Sequence, residues 1–535
     1  MRPRWRVGFD PHTCIRHPTP SGKEYIKRPP LATRIPRRAG PPVAVATRIG
    51  PSLTKHPTMP ATLHTLDSLR LATHDLAPPF SIQLDEGAPW HCSAVLRMLP
   101  GRRVVLRLKR ASEPPVVAKL FYRRKDYQRE YDGHQQLQQQ AIDTPAMVHH
   151  YQNPEAEQAL VLYSFCAGQS LLQCWQQADQ ADQRLAILGR AVEACAHLHR
   201  AGLVQADIHL DNFLATDDHL QVIDCAGISA HPTPLDADRA RDNLALLLAQ
   251  LPATVEDWIA PLWQGYRRVV ADPGFDSSAL AEAVQRMRTR RWQHYRKKLY
   301  RDCSEFHCQA RFNRWQVARR DALGPALEQL LVNPDPLIEC GQLLKQGNTA
   351  TVSRVEIEGH RWVVKRYNLK GAGHALSRGL RPSRAWHYWS NAYRLRFEGI
   401  ATPTPLALVE ERFGPLRRRA FLVMESVEGT DLHTALSQPA RSPCPPERLK
   451  QQVVDLFDTL YRTRLSHGDL KASNLLVTAE GIQLIDLDSL RMHRRPGPLK
   501  SALRKDLDRF LRNWEGALRE EFETLLAPVA KRLSA

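Results

Sequence analysis

The sequence predicts an α+β protein made of two tandem units that share one order of strands and helices. Three observations support this fold class. The chain has 535 residues, which exceeds one ordinary domain. Its composition, 43% hydrophobic and 24% charged, is typical of globular proteins. The same order of apolar strands, helices and polar loops also occurs twice, at nearly the same spacing.

The first unit begins with an alternating apolar run that ends at Lys119. A polar stretch with helical character and Glu130 follows, and then an apolar strand at Leu160–Tyr163. We expect a helix over Leu185–Arg200, because its apolar residues recur at helical spacing. The unit then continues through a loop and a short strand that carry Asp207, Asn212 and Asp224.

The second unit repeats these signals in the same order. They are a strand ending at Lys365, a strand at Phe421–Met424, a helix at Leu449–Leu460, and a loop and strand with Asp469, Asn474 and Asp486. Aspartate and asparagine are 5 residues apart in both loops, and the two aspartates are 17 residues apart in both units. Chance does not explain this agreement, so we interpret the units as copies of one fold.

The order of these elements resembles the protein-kinase-like fold. The motif His467-Gly468-Asp469-Leu470-Lys471 with Asn474, followed by Ile485-Asp486-Leu487-Asp488, is similar to the lipopolysaccharide kinase family of bacterial enzymes. The resemblance covers roughly residues 80–300 and 330–535. It implies two tandem kinase-like domains, each with a small β-rich lobe and a larger helical lobe. It also implies transfer of phosphate from ATP, with Mg²⁺, to a lipopolysaccharide core sugar such as heptose or 3-deoxy-octulosonic acid. A lipopolysaccharide core or lipid-linked sugar acceptor is the implied partner.

Phosphoryl transfer needs groups that position the reactants and neutralise charge. In the second unit Asp469 would orient the acceptor hydroxyl, and Lys471 could reach the transferred phosphoryl group. Asn474 and Asp486 are oxygen donors suited to Mg²⁺, and Lys365 would hold the nucleotide phosphates. A further ATP-binding candidate is Gly347, in a stretch at 346–352 that predicts either a phosphate-covering hairpin or an ordinary turn.

The first unit offers residues of the same types in the same slots. Lys119 and Glu130 are its candidates for ATP binding, Asp207 for catalysis, and Asn212 and Asp224 for the metal. This unit departs from the family pattern in three places. Gln205-Ala206 replaces the usual His-x before the catalytic aspartate, His209 stands where the second unit has Lys471, and the hairpin 100–103 lacks a glycine-rich loop.

The second unit has the opposite defect, because the slot of Glu130 is filled by Tyr388. Either another acid, such as Glu398 or Asp488, pairs with Lys365, or nucleotide binding is weakened in this unit. The sequence therefore leaves open which unit is catalytic. Asp506 and Asp242, which follow the last strand of each unit, either brace the catalytic loop or only help to pack the helical part.

The predicted organisation is a disordered tail over 1–60, a first domain over 61–300, a linker over 301–334 and a second domain over 335–535. The tail holds 12 of the 75 Lys and Arg residues and 12 of the 39 prolines, and it has no secretory signal. Two interpretations of the tail compete: a basic arm for an anionic surface, or an artefact of a start site upstream of a natural start at Met59.

The net charge of +19 favours an anionic partner. The basic and aromatic stretch Arg286–Arg301 suits an anionic membrane surface, or it forms a solvated helix between the units. We expect no nucleic-acid partner, because no groove-reading motif accompanies the charge.

No apolar run approaches bilayer length, and the ten cysteines form no CxxC pair. A cytoplasmic protein, peripheral at the cytosolic face of the inner membrane, is the resulting expectation.

Two other functions use the same residues. A Ser/Thr protein kinase is disfavoured, because neither unit has the Asp-Phe-Gly and Ala-Pro-Glu signatures that bracket an activation segment. A catalytically inactive scaffold is the second alternative. It is favoured by the missing acid in the second unit and the missing glycine loop in the first.

Overall fold

The computed structural model describes residues 62–73, 76–111, 113–153, 155–216, 219–347, 349–368 and 381–534. The tail predicted over 1–60 lies outside these residues. In the described ranges the protein has two seven-stranded sheets, each followed by a largely helical region. This is the mixed helix and strand architecture that the sequence predicts.

The first sheet belongs to the N-terminal half and has the strand order β1-β2-β3-β4-β5-β7-β6. Its strands are Leu63–His64 (β1), Phe80–Ile82 (β2), Trp90–Leu99 (β3), Arg103–Arg110 (β4), Glu113–Phe121 (β5), Met147–Asn153 (β6) and Gln158–Ser164 (β7). A short helix, Leu66–Arg70 (α1), follows β1, and a longer one, Arg124–Gln139 (α2), connects β5 to β6.

The helical region of this half also contains short strands, which form one three-stranded and one two-stranded sheet. The strands are Gln169–Ser170 (β8), Leu203–Gln205 (β9), Phe213–Ala215 (β10), Leu220–Val222 (β11) and Ile228–Ala230 (β12). The helices are Leu171–Gln177 (α3), Ala181–Arg200 (α4), Ala237–Leu248 (α5), Ile259–Val269 (α6) and Ser277–Lys298 (α7). The predicted helix at Leu185–Arg200 is confirmed as part of α4.

The second sheet has the strand order β13-β14-β18-β19-β17-β16-β15. Its strands are Phe306–Arg311 (β13), Arg314–Arg319 (β14), Gln342–Gln346 (β15), Ala350–Ile357 (β16), His360–Tyr367 (β17), Pro405–Phe413 (β18) and Leu416–Glu425 (β19). The helices that accompany this sheet are Pro325–Val332 (α8), Pro334–Cys340 (α9) and Arg384–Phe397 (α10).

The region after the second sheet repeats the design of the first half, with short strands among helices. The strands are Thr430–Asp431 (β20), Leu465–Ser466 (β21), Leu475–Thr478 (β22), Gly481–Leu484 (β23) and Arg491–Met492 (β24). The helices are Leu432–Ser437 (α11), Pro446–Arg462 (α12), Pro496–Leu511 (α13) and Gly516–Ser534 (α14). Among the described residues, no helix is both long and apolar enough to cross a membrane.

The repeat seen in the sequence extends to the order of the strands. Five strands of the first sheet lie in the order β3-β4-β5-β7-β6, and five of the second lie in the equivalent order β15-β16-β17-β19-β18. The sheets are extended at opposite edges, by β1 and β2 beside β3 in the first and by β13 and β14 beside β18 in the second. The two halves therefore share a core arrangement and differ in what is added to it.

The segment 301–334 is not a linker, as the sequence analysis predicted, but part of the second sheet. It contains β13, β14 and α8. Phe306, Trp315 and Val317 are buried in the core of the second half. These strands are short and half of their residues are polar, so their pattern resembles a loop until the sheet that covers them is known.

The basic and aromatic stretch Arg286–Arg301 lies mostly on α7 and joins the two halves. Trp292 and Tyr295 are buried in the second core, and Tyr300 stacks on Trp386 with ring centroids 3.9 Å apart. The rings are therefore occupied by packing. The first predicted domain also ends too late, because the C-terminal part of α7 already belongs to the core of the second half.

Candidate active site

In both halves, strand alternation turns the predicted lysine toward a cleft beneath the sheet. Trp362 and Val364 of β17 point into a buried apolar cluster, whereas Val363 and Lys365 line the cleft. Since successive side chains of a strand point to opposite faces, the apolar spacing of β17 determines where Lys365 points. Lys119 has the same relation to β5 and the cleft of the first half.

The cleft of the second half has a volume of about 500 Å³. The predicted residues that line it are Gly347, Lys365, Lys471, Asn474 and Asp486. Gly347 follows β15, which pairs antiparallel with β16, and Gly347, Thr349 and Ala350 line the cleft where these two strands meet. Residue 348 lies outside the described residues. The structure thus brings five of the six candidates of this half into one cavity.

Lys365 is held by two carboxylates at the end of the cleft. Its Nζ lies 2.8 Å from Asp486 Oδ1 and 3.0 Å from Asp488 Oδ2. Tyr388 lies beside it, with the ring centroid 5.1 Å from Nζ. Of the two acids considered as substitutes for the missing helix carboxylate, Asp488 therefore takes that role. Glu398 pairs with Arg394 instead.

Asp488 is also bonded to residues that hold it in place. The hydroxyl of Tyr367 donates to Asp488 Oδ1 at 2.7 Å, and Arg384 Nη2 donates to Oδ2 at 2.5 Å. Burial raises the pKa of the Tyr367 phenol well above its ordinary value, and the adjacent Asp488 adds to this. The phenol therefore stays protonated and acts as a donor.

Asp486 is suited to bind a cation. Its backbone is left-handed, with φ of 59°, a conformation that non-glycine residues seldom adopt. Burial works against its ionisation, but Lys365 and Lys345 outweigh burial and lower the pKa of the carboxyl group. The Nδ2 group of Asn474 donates a hydrogen bond to the carbonyl oxygen of Asp469 at 2.8 Å. The amide oxygen of Asn474 can then act as a metal ligand.

The candidate catalytic Asp469 lies on the loop between β21 and β22 and is partly exposed. Arg509 Nη1 on α13 donates to Asp469 Oδ1 at 3.1 Å, and Lys471 Nζ lies 3.5 Å from Oδ2. Asn474 Nδ2 also reaches Oδ2 at 3.3 Å. The carboxylate is therefore oriented by three donors from three positions in the chain.

The backbone of this loop is held by Asp506, which is 1% exposed. Its carboxylate accepts the backbone N–H groups of His467 and Gly468, at distances from 2.7 to 3.1 Å. Burial lowers the pKa of His467, so its Nδ1 can accept the N–H of Asp469 at 3.3 Å. Of the two interpretations of Asp506, the structure supports the brace.

The first half uses an asparagine for the same purpose. Asn243 Nδ2 donates to the carbonyl of Gln205 at 2.9 Å, and its Oδ1 lies 3.0 Å from His199 Nε2. Asp242, which the sequence analysis had aligned with Asp506, is instead paired with the neighbouring Arg241. The residue of the first half that corresponds to Asp506 is therefore Asn243, one residue after Asp242. The sequence aligned Asp242 with Asp506 because the same apolar helix pattern follows both aspartates.

We expect acid to destabilise the first half through His199. Burial lowers its pKa to about 4. The neutral ring therefore makes its full contribution to the free energy of unfolding above pH ~6.5, the pKa of histidine in an unfolded chain. This contribution is lost as the pH falls toward 4. Between pH 7 and 5 the loss should be about 2 kcal/mol. Thermal unfolding at several pH values should show a shallower pH dependence for His199→Gln, and His197→Gln on the same helix is the control. Equal slopes for wild type and His199→Gln would contradict this assignment.

The cleft of the first half has a volume of about 350 Å³ and is lined by Lys119, Glu130, Asn212 and Asp224. Lys119 is ion-paired with the fully buried Glu130 and lies 3.8 Å from Asp224. Burial would lower the pKa of Lys119, but Glu130 and Asp224 raise it overall. The predicted lysine and glutamate pair of this half is therefore present. Asp207 lies on an exposed part of the loop and does not line the cavity.

The sequence analysis missed Arg97 and Arg103 in the first half and Arg509 in the second. Arg97 and Arg103 lie on β3 and β4 and reach Asp224 at 3.8 and 3.5 Å. Nothing in a single sequence pairs a hairpin arginine with an aspartate more than 100 residues away. Arg509 had a signal, because it lies three residues after Asp506 and so on the same face of α13.

Comparisons with known proteins agree with the predicted resemblance. Residues 339–527 match the model of the lipopolysaccharide kinase (Kdo/WaaP) family. The lipopolysaccharide core heptose(I) kinase WaaP of Pseudomonas aeruginosa is 27% identical over 181 residues, which cover 31% of this chain and 68% of the relative. A solved structure of WaaP in complex with acyl carrier protein matches 40% of this chain and 99% of its own, with 21% identity and a TM-score of 0.28. The chain is therefore a kinase that is similar to the lipopolysaccharide kinase family over residues 339–527.

Proposed function

We propose that the second half transfers the γ-phosphate of ATP, with Mg²⁺, to a hydroxyl of a heptose in the lipopolysaccharide core. The observation that carries this proposal is the placement of Lys365, Lys471, Asn474 and Asp486 around one cleft, with Asp469 on its loop. These residues lie in the segment that matches the kinase family. Heptose is the preferred acceptor because the relative from Pseudomonas aeruginosa is named for it. 3-Deoxy-octulosonic acid is the second candidate.

The residues of the cleft fit Mg²⁺. Asn474 and Asp486 supply a neutral and an anionic oxygen, the ligand types that this ion takes in phosphoryl-transfer sites. When bound, the ion neutralises charge on the nucleotide phosphates. Lys365, held between Asp486 and Asp488, lies beside the proposed metal-binding carboxylate and is placed to contact the same phosphates.

In the proposed reaction Asp469 accepts a hydrogen bond from the acceptor hydroxyl and aims its oxygen at the γ-phosphorus. The new oxygen–phosphorus bond forms as the bond to the β-phosphate oxygen breaks, ADP leaves, and the hydroxyl proton passes to Asp469. Lys471 lies 3.5 Å from Asp469, close enough to stabilise charge on the transferred group. Arg509 fixes the orientation of the carboxylate.

We assign the two halves as tandem kinase-like domains with different roles. The equivalent order of five strands in each sheet supports a common fold. Catalysis is assigned to the second half, because its aspartate is oriented by Arg509 and Asn474 and its loop is braced by Asp506. Because the acceptor is part of a glycolipid, we place the enzyme at the cytosolic face of the inner membrane.

Incorporation of labelled phosphate from ATP tests this function in the full chain. The acceptors are lipopolysaccharide with a heptose-containing core and lipopolysaccharide truncated after 3-deoxy-octulosonic acid. We expect transfer only to the heptose-containing acceptor and only when Mg²⁺ is present. Transfer to the truncated acceptor would change the sugar assignment, and no transfer to either would reject the proposed function. A generic protein substrate serves as the control for the protein-kinase alternative.

A further inference from the structure

The two clefts differ in the cations that surround one aspartate, Asp224 in the first half and Asp486 in the second. In the first half, Arg103 and Arg97 extend from the β3–β4 hairpin, with guanidinium nitrogens 3.5 and 3.8 Å from the oxygens of Asp224. Lys119 lies 3.8 Å from the same carboxylate. In the second half Asp486 meets two lysines, Lys365 at 2.8 Å and Lys345 at 3.7 Å, and Lys345 is largely exposed.

The residues of the first cleft do not fit a divalent cation. Three cations, Lys119, Arg103 and Arg97, lie between 3.5 and 3.8 Å from the Asp224 carboxylate and neutralise it. A metal bound there would lie beside two guanidinium groups, which cannot lose their charge. The repulsion opposes metal binding, so the predicted metal role of Asn212 and Asp224 is not supported by this arrangement.

The cleft nevertheless retains the shape and polarity of a nucleotide site. One part of its wall is apolar and includes aromatic rings, which suits a flat base. The apolar residues are Val105, Val117, Tyr163, Phe165, Leu214 and Ile223. The other part carries Lys119, Arg97 and Arg103. The Nε of Arg103 is buried and has no hydrogen-bond partner among the described residues.

We propose that the first cleft binds a nucleoside di- or triphosphate without a divalent cation, with Arg97 and Arg103 neutralising the phosphates that a metal would otherwise neutralise. Guanidinium groups bind phosphate oxygens through charge-assisted hydrogen bonds and remain charged in a buried site. This inference concerns the first half and does not depend on catalysis by the second. The first half then serves as a nucleotide-binding unit.

The test uses the full chain with the second cleft disabled by Lys365→Met and Asp486→Asn. Binding of fluorescent N-methylanthraniloyl-ADP is titrated in EDTA and again with excess Mg²⁺. We expect binding in EDTA, with the dissociation constant changing less than about threefold on addition of Mg²⁺. Arg103→Ala in this background should weaken binding by roughly tenfold or more in EDTA. Arg102→Ala is the matched control, because this neighbouring arginine pairs with Asp126 and does not line the cleft.

Three results would overturn the proposal: no binding in EDTA, binding that Mg²⁺ tightens tenfold or more, or an unchanged affinity in Arg103→Ala. Thermal unfolding of each variant verifies that the protein is folded. If the double substitution prevents folding, isothermal titration of wild-type chain with ADP gives an independent measurement. One site per chain is then expected in EDTA and two with Mg²⁺, and zero sites in EDTA counts against the proposal. Phosphate transfer is not measured in either experiment, so failure of the proposed function would not affect the outcome.

Discussion

Replacing Asp469 with asparagine is expected to lower phosphate transfer on the order of 10³-fold while leaving the chain folded. The carboxylate is partly exposed, so it contributes little to packing, and asparagine has nearly the same shape. The loss would come from the acceptor hydroxyl, which would no longer meet a carboxylate that can accept its proton. Transfer of labelled phosphate to lipopolysaccharide core measures the effect. Nucleotide affinity should be nearly unchanged, because Asp469 does not line the cleft.

Asp207→Asn is the matched control for this experiment. It makes the same chemical change at the equivalent position of the first half, where the aspartate is exposed, whereas Asp469 is paired with Lys471 and Arg509. We expect transfer within about twofold of wild type for this variant, since surface substitutions usually have small effects. The reverse pattern, with Asp207→Asn inactive and Asp469→Asn active, would assign catalysis to the first half. Full activity of the double variant would reject both assignments.

The sequence predicted those parts of the fold that depend on local periodicity and repetition. The helix α4, the strand β17 that carries Lys365 and the strand β7 all lie where their apolar spacing placed them. The spacing from Asp469 to Asn474 and Asp486 was sufficient to bring Asn474 and Asp486 into one cleft, because a short hairpin connects them. Local signals thus predict which side chains face the site.

Local spacing in a single sequence does not show which distant segments contact each other. Arg103 and Asp224 are 121 residues apart in the sequence, as are Lys365 and Asp486, yet only the second two residues were assigned to one site. The kinase resemblance assigned both Lys365 and Asp486 to the nucleotide site, whereas it assigned nothing to Arg103. The strands β13 and β14 were missed for a related reason. The hairpin that they form joins the sheet through the pairing of β14 with β18, and β18 begins more than 80 residues later.

Replacing Asp488 with asparagine is expected to lower kcat/KM for ATP by roughly 30- to 100-fold, because removing one member of a buried ion pair leaves the other charge uncompensated. The Asp488 side chain is 9% exposed and contacts Lys365, Arg384 and Tyr367. Without the charge at Asp488, Lys365 keeps only Asp486, which is also the proposed metal ligand. Glu428→Gln provides a control, since that carboxylate pairs with Arg361 on an exposed surface.

A second substitution should restore part of the lost activity if the position of the negative charge is what matters. Tyr388 lies beside Lys365 on α10, in the place that Glu130 occupies beside Lys119 on α2. Tyr388→Glu in the Asp488→Asn background would return a carboxylate to the helix side of the lysine, as in the first half. We expect kcat/KM to recover by about tenfold, which corresponds to ~1.4 kcal/mol of transition-state stabilisation. Steady-state kinetics at several ATP concentrations measures this recovery. No loss in Asp488→Asn would show that Asp486 alone is sufficient to hold the lysine. A loss without recovery would show that the lysine requires its carboxylate at position 488, where Tyr367 and Arg384 also contact that carboxylate.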